Sequence, residues 1–126
     1  MTQAKAVEWV LRVGVAAEFI GHGVFALEGK MEWLAWFPHF GIDTGTGLIL
    51  MSLIGLMDIV LGVIILIRPV RLFILWMAVW AAWTALVRPL VGDPIWDFIE
   101  RGANWGAPLA LFLMQGFPRR LREWFV

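Results

Sequence analysis

Residues Thr46–Ile67 read TGLILMSLIGLMDIVLGVIILI, 22 residues in which Asp58 is the only charge. A helix rises about 1.5 Å per residue, so this stretch alone crosses the roughly 30 Å hydrocarbon core of a bilayer. A helix apolar on every side is either deeply buried in a large protein or immersed in lipid. Working outward, similar segments recur. Leu72–Val91 gives 20 residues with Arg88 near its end, and Val7–Leu27 gives 21 interrupted by Glu8, Arg12, Glu18 and His22. Gly102–Phe117 has 16 residues and no ionisable group, and it is expected to continue upstream through Glu100 and Arg101. None of these segments alternates with period two, which argues against a barrel. The expectation is an all-α, integral membrane four-helix bundle in one domain over residues 1–126, with helices at about 7–27, 46–67, 72–91 and 99–117.

The composition agrees. Hydrophobic residues make up 61% of the 126 and charged ones 16%, against roughly 45–50% and about 25% in soluble domains. So small a soluble chain has too little interior to hide that surface. Ten basic residues balance ten acidic ones, so no global field draws nucleic acid. Cysteine is absent, which excludes disulfides, thiolate nucleophiles, iron–sulfur clusters and Cys-bound zinc, and no metal site is expected. With both termini cytoplasmic, seven of the ten basic residues (Lys5, Arg12, Arg68, Arg71, Arg119, Arg120 and Arg122) fall inside. That bias sets the orientation, and a multi-pass protein of the inner (plasma) membrane is expected. The first helix is expected to remain uncleaved, because Arg12 and Glu18 interrupt what a signal peptide keeps apolar. Trp33, Trp36, Phe37 and Phe40 suggest an outer segment, about residues 31–40, lying on the membrane surface.

Charges within a membrane are expensive and need a partner or a use. On a helical wheel, Gly14, Glu18, His22 and Phe25 share a face of the first helix, and Met51, Gly55, Asp58 and Gly62 one of the second. Met77, Ala81, Thr84 and Arg88 align on the third, and Glu100, Arg101, Asn104, Pro108, Leu111 and Gln115 on the fourth. Measured from the outer ends, Glu18 and Asp58 lie roughly 14 and 18 Å deep, His22 about 7 Å and Arg88 within roughly 5 Å. The candidate ligand-binding residues are therefore Glu18, His22, Asp58, Thr84, Arg88, Glu100, Arg101 and Asn104. They describe a polar pocket open to the outer side with two carboxyls on its floor. Two neighbouring acids in low dielectric do not readily both ionise. The bland alternative is that these groups only hold helices together, each interhelical hydrogen bond contributing about 0.6 kcal/mol.

Gly21-His22-Gly23 closing the first helix, followed by Lys30, resembles the first-helix signature of the DoxX-like membrane proteins. Gly55-x-x-Asp58-x-x-x-Gly62 is similar to that family's second-helix motif, in which the acid is more often Glu. Glu100-Arg101 with Asn104, Pro108, Leu109 and Ala110 is similar to the fourth-helix pattern of its small members. The resemblance covers roughly residues 7–117. It implies a compact four-helix membrane bundle associated with redox systems, since relatives include subunits of thiosulfate:quinone oxidoreductase. It supplies no reaction of its own.

Three functions compete. One is an accessory subunit of a membrane redox system that binds a quinone-like ligand, with His22, Glu18, Asp58 and Arg88 providing hydrogen bonds and a proton route. No residue here carries electrons alone, so they must come from a redox protein partner, and the chain by itself is not expected to be an enzyme. The second is a non-catalytic binder of lipid or another amphiphile, a shape distantly similar to sterol-isomerase and sigma-receptor proteins. The third is a structural subunit of a larger membrane complex, or of a homo-oligomer. These residues fix no cofactor, and a quinone is the candidate they allow. Haem is disfavoured, because the only other histidine, His39, lies in a connection and no Cys-x-x-Cys-His is present.

Overall fold

The computed structural model describes all residues, Met1–Val126, and is entirely helical apart from turns. In chain order it runs through α1 (Gln3–Leu27), α2 (Met31–Leu34), a 3-10 turn at Phe37–Phe40 and α3 (Thr44–Ile67). It continues through α4 (Arg71–Leu90), α5 (Ile95–Ile99), α6 (Gly102–Gln115) and a second 3-10 turn at Leu121–Phe125. Three helices, α1, α3 and α4, are long and apolar enough to cross a membrane. Only 25 of the 126 residues are buried. The remaining faces of the long helices are Leu, Ile, Val, Phe and Trp, the surface expected of a chain solvated by lipid.

α1 and α3 lie antiparallel and touch backbone to backbone. A Cβ placed on Gly23 would fall 2.6 Å from the Gly55 carbonyl oxygen, and one on Gly55 would fall 2.7 Å from that of Gly23. Farther along, Gly62 meets the Ala16 carbonyl in the same way at 3.1 Å. Small residues let helices approach this closely in lipid, where packing and hydrogen bonding replace the hydrophobic effect as the driving force. α6 packs between α1 and α4. One core joins Phe19 of α1, Ile65 of α3, Ile74 and Met77 of α4, and Leu111 and Phe112 of α6.

Where the chain turns, Pro and Gly decide the ends. Pro69 has no N–H, so the Ile65 carbonyl loses its donor, and the Val70 amide turns to Arg68 and leaves Leu66 without one. Arg12 of α1 supplies both bonds, from Nε to the Ile65 carbonyl at 2.7 Å and from Nη2 to that of Leu66 at 2.8 Å. Its guanidinium also covers the Trp9 ring at 3.9 Å and lies 3.6 Å from Glu8. Arg12 is thus buried as a cap on another helix, where the sequence counted it only among the basic residues of the cytoplasmic side. Arg71 does likewise for α6, donating to the carbonyls of Gln115 and Glu123. α1 ends in a Schellman turn, with Gly29 at φ 71° and the Lys30 amide donating to the Phe25 carbonyl at 3.1 Å.

The fourth segment departs from its expected bounds of 99–117. A turn at Glu100-Arg101 separates α5 from α6, and Gly116 (φ 80°) followed by Pro118 stops α6 at Gln115. At 14 residues α6 is shorter than a full span. The basic tail folds back, and Trp124 stacks on Phe112 at 6.0 Å.

Asp43 caps the start of α3. Its carboxylate accepts from the Thr46 hydroxyl at 2.7 Å and the Thr46 amide at 3.2 Å, which hold it below the usual carboxylate range. Both bonds favour the ionised form, so the cap is complete above the unfolded value of about 3.9 and is lost as pH falls through the lower folded one. The Thr46 amide proton shift is expected to follow that titration in the native chain and to stay flat in Asp43→Asn, which caps at any pH. A flat profile in the native chain would remove Asp43 from the cap.

Candidate ligand cavity

A cavity of about 380 Å³ lies in the half of the molecule away from both termini. Glu18 and His22 reach it from α1, one turn apart, and Asp58 faces it from α3. Thr84 and Arg88 enter from α4 and Asn104 from α6. Six of the eight residues expected from the sequence therefore share one space.

Glu100 and Arg101 do not line it. They occupy the turn before α6, where Arg101 donates to Glu100 at 2.7 Å and to the Asp97 carbonyl at 2.8 Å. The break in the helix there removes them from the stripe that a continuous helix would have given. Gly14 and Phe25 also leave the inward face expected of them, since both are exposed.

The acids are not equivalent. Asp58 is 5% exposed, and its Oδ1 has no hydrogen-bond partner in the protein. Buried polar atoms are nearly always paired, so an orphaned oxygen on a residue that lines a cavity singles out Asp58 as a place for a ligand atom. Glu18 is half-buried and shares the cavity with Asp58. Near the C-terminal end of α4, Arg88 makes one hydrogen bond, to the Thr84 carbonyl at 2.9 Å. The Thr84 hydroxyl is turned back onto the Ala81 carbonyl at 3.1 Å. Pro108 deprives the Asn104 carbonyl of its helical donor, leaving one further free acceptor close to the cavity.

The aromatic roof was not among the residues expected at the site. Trp33, Trp36, Phe37 and Phe40, read from the sequence as lying on the membrane surface, fold inward and line the cavity. Their spacing of i, i+3, i+4 and i+7 places them on one face, which was the available signal. Cations and edges pin the roof in place. Lys30 Nζ lies 4.6 Å from the Trp33 ring, the Arg88 guanidinium 4.9 Å from Trp36, and His22 meets Trp33 edge-on at 5.6 Å. From α4, Trp80 and Trp83 complete an aromatic sleeve above the two carboxyls.

No family model matches this chain, and no curated protein or solved structure is similar to it above chance. Its chemistry is therefore argued from its own residues. The arrangement can offer aromatic side chains to an apolar ring and present Glu18, His22, Asp58 and Arg88 to its polar atoms.

Proposed function

We propose that this chain is a four-helix inner-membrane protein of the DoxX-like kind, both termini cytoplasmic, that binds a quinone-like head group as accessory subunit of a membrane redox system. The observation that carries the reading is the unpartnered Asp58 carboxyl beneath an aromatic sleeve. A quinone carbonyl accepts a hydrogen bond from a carboxyl that holds its proton, and the flat ring stacks on Trp faces. Reduction to a quinol takes up two electrons and two protons. Glu18 and Asp58 are suited to pass the protons, and a partner protein provides the electrons. The seven-to-three division of basic residues supports the orientation, and reporter fusions at either terminus test it.

Binding of a tailless benzoquinone to the protein in lipid nanodiscs, followed by saturable quenching of tryptophan fluorescence, tests the site. Asp58→Val and Glu18→Met, which remove the donor, are each expected to weaken binding about tenfold, the value of one lost hydrogen bond to a buried group. The double variant should fall short of the hundredfold product, because the two carboxyls share one space. Unchanged affinity in both variants would sink the reading. Saturable binding of a hydroxylated lipid or amine at the same carboxyls, without quinone binding, would favour the non-catalytic binder instead.

A further inference from the structure

The seam between α3 and α4 is unlike the others in this molecule. These two helices follow one another through a connection of only Arg68–Val70, and such short connections ordinarily place antiparallel helices side by side. Here α3 packs on α1 while α4 packs on α6, and α3 and α4 scarcely meet. The cavity lies against that open seam. Ile54 and Asp58 stand on its α3 bank, and Trp80, Trp83 and Thr84 on its α4 bank. Trp83 lines the cavity from the α4 bank and keeps 43% of its surface exposed, so packing does not close the seam there. The route from water is covered by the roof, pinned by Lys30, Arg88 and His22 and closed onto Trp83 by Phe40 at 6.4 Å.

We propose that the ligand reaches the cavity sideways from the bilayer through the α3–α4 seam, and that it is a tailed amphiphile whose head meets Asp58 while its apolar chain remains in the seam. This rests on the cavity's being the ligand site. The size agrees, because about 380 Å³ lies at the small end of the range that encloses a whole drug-sized molecule. A compact head fills it and a long tail must lie outside. The only outside that welcomes such a tail is lipid, and the stacked pair Trp76 and Trp80, 5.7 Å apart, extends the aromatic bank in that direction.

The native chain has no cysteine, so Ile54→Cys offers one attachment point on the seam and Phe37→Cys one on the roof. Each variant, in nanodiscs, is assayed before and after coupling to a bulky maleimide, with a decyl-tailed and a tailless benzoquinone. Each labelled variant is compared with its own unlabelled form, so that any effect of the cysteine itself cancels, and helical circular dichroism confirms that the fold is intact. The label on the Ile54→Cys variant is expected to weaken the decyl probe at least tenfold and the tailless one less than threefold, while the label on the Phe37→Cys variant spares the decyl probe. Trp83→Ala, which thins the opposite bank, should speed association of the decyl probe about threefold. Decyl binding that survives the label on the seam, or is lost only with the label on the roof, overturns the lateral route while leaving the site in place. Failure of both probes on the native chain overturns the ligand reading, and the route with it.

Discussion

Gly23→Ala is expected to cost the folded protein about 3 kcal/mol, at the upper end of the usual range for overpacking, whereas Gly14→Ala should cost almost nothing. The added methyl at position 23 would lie 2.6 Å from the Gly55 carbonyl oxygen and 3.1 Å from the Ile59 amide nitrogen, both backbone atoms that cannot rotate aside. The helices must move apart. The separation also loosens the contact of Gly62 with Ala16, because α1 and α3 are rigid rods that share one line of approach. Gly14 has nothing within 4 Å of its would-be Cβ and is exposed, and alanine suits a helix better than glycine. Unfolding midpoints in a mild detergent series read the difference. The pair Gly23→Ala and Gly55→Ala should lose less than the two single losses combined, since the first substitution has already opened the interface. Equal losses at positions 14 and 23 would mean that α1 presents a different face to α3.

Arg12→Met should be about as damaging, with a loss of roughly 3–5 kcal/mol from two charge-assisted hydrogen bonds whose acceptors are left bare. Methionine retains much of the stem that packs along Trp9, so the loss reports the guanidinium rather than the volume. The carbonyls of Ile65 and Leu66 have no other donor, because Pro69 and the turned amide of Val70 cannot serve them. Arg12→Lys places a single ammonium where a fork was needed and is expected to recover about half of the loss. Arg119→Met, on the exposed tail, should stay within about 0.5 kcal/mol of the native chain. The same detergent series measures all three, and a native-like Arg12→Met would remove the cross-helix cap.

The line Met51, Gly55, Asp58 and Gly62 was legible from spacing alone, and all four are buried. α3 has one close partner, and a helix with a single buried face is what a wheel describes. α1 packs against both α3 and α6, so its buried arc is broader and is centred away from Glu18. A wheel drawn through Glu18 therefore brought Gly14 inward and passed over Gly23, the residue at the backbone contact. Arg12 was counted by its charge, although Pro69 already announced an acceptor in need of a donor 53 residues away. That subtraction needs no structure, but naming the donor does, because any arginine at that end of the molecule qualifies. The polar members Glu18, His22, Asp58, Thr84 and Arg88 could be found because polarity in an apolar helix is conspicuous. The tryptophans of the roof could not be told from an interfacial belt by composition, since both uses demand the same residue.

The clasp made by Arg12 also sets a schedule for synthesis. Its partners Ile65 and Leu66 leave the ribosome 53 and 54 residues later, roughly 3 to 10 s at ordinary elongation rates. Throughout that interval α1 carries a guanidinium with no carbonyl to receive it, so Glu8 and the lipid headgroups must hold the charge at the membrane surface. α1 is anchored shallowly until α3 arrives, and only then can the first hairpin settle to its final depth.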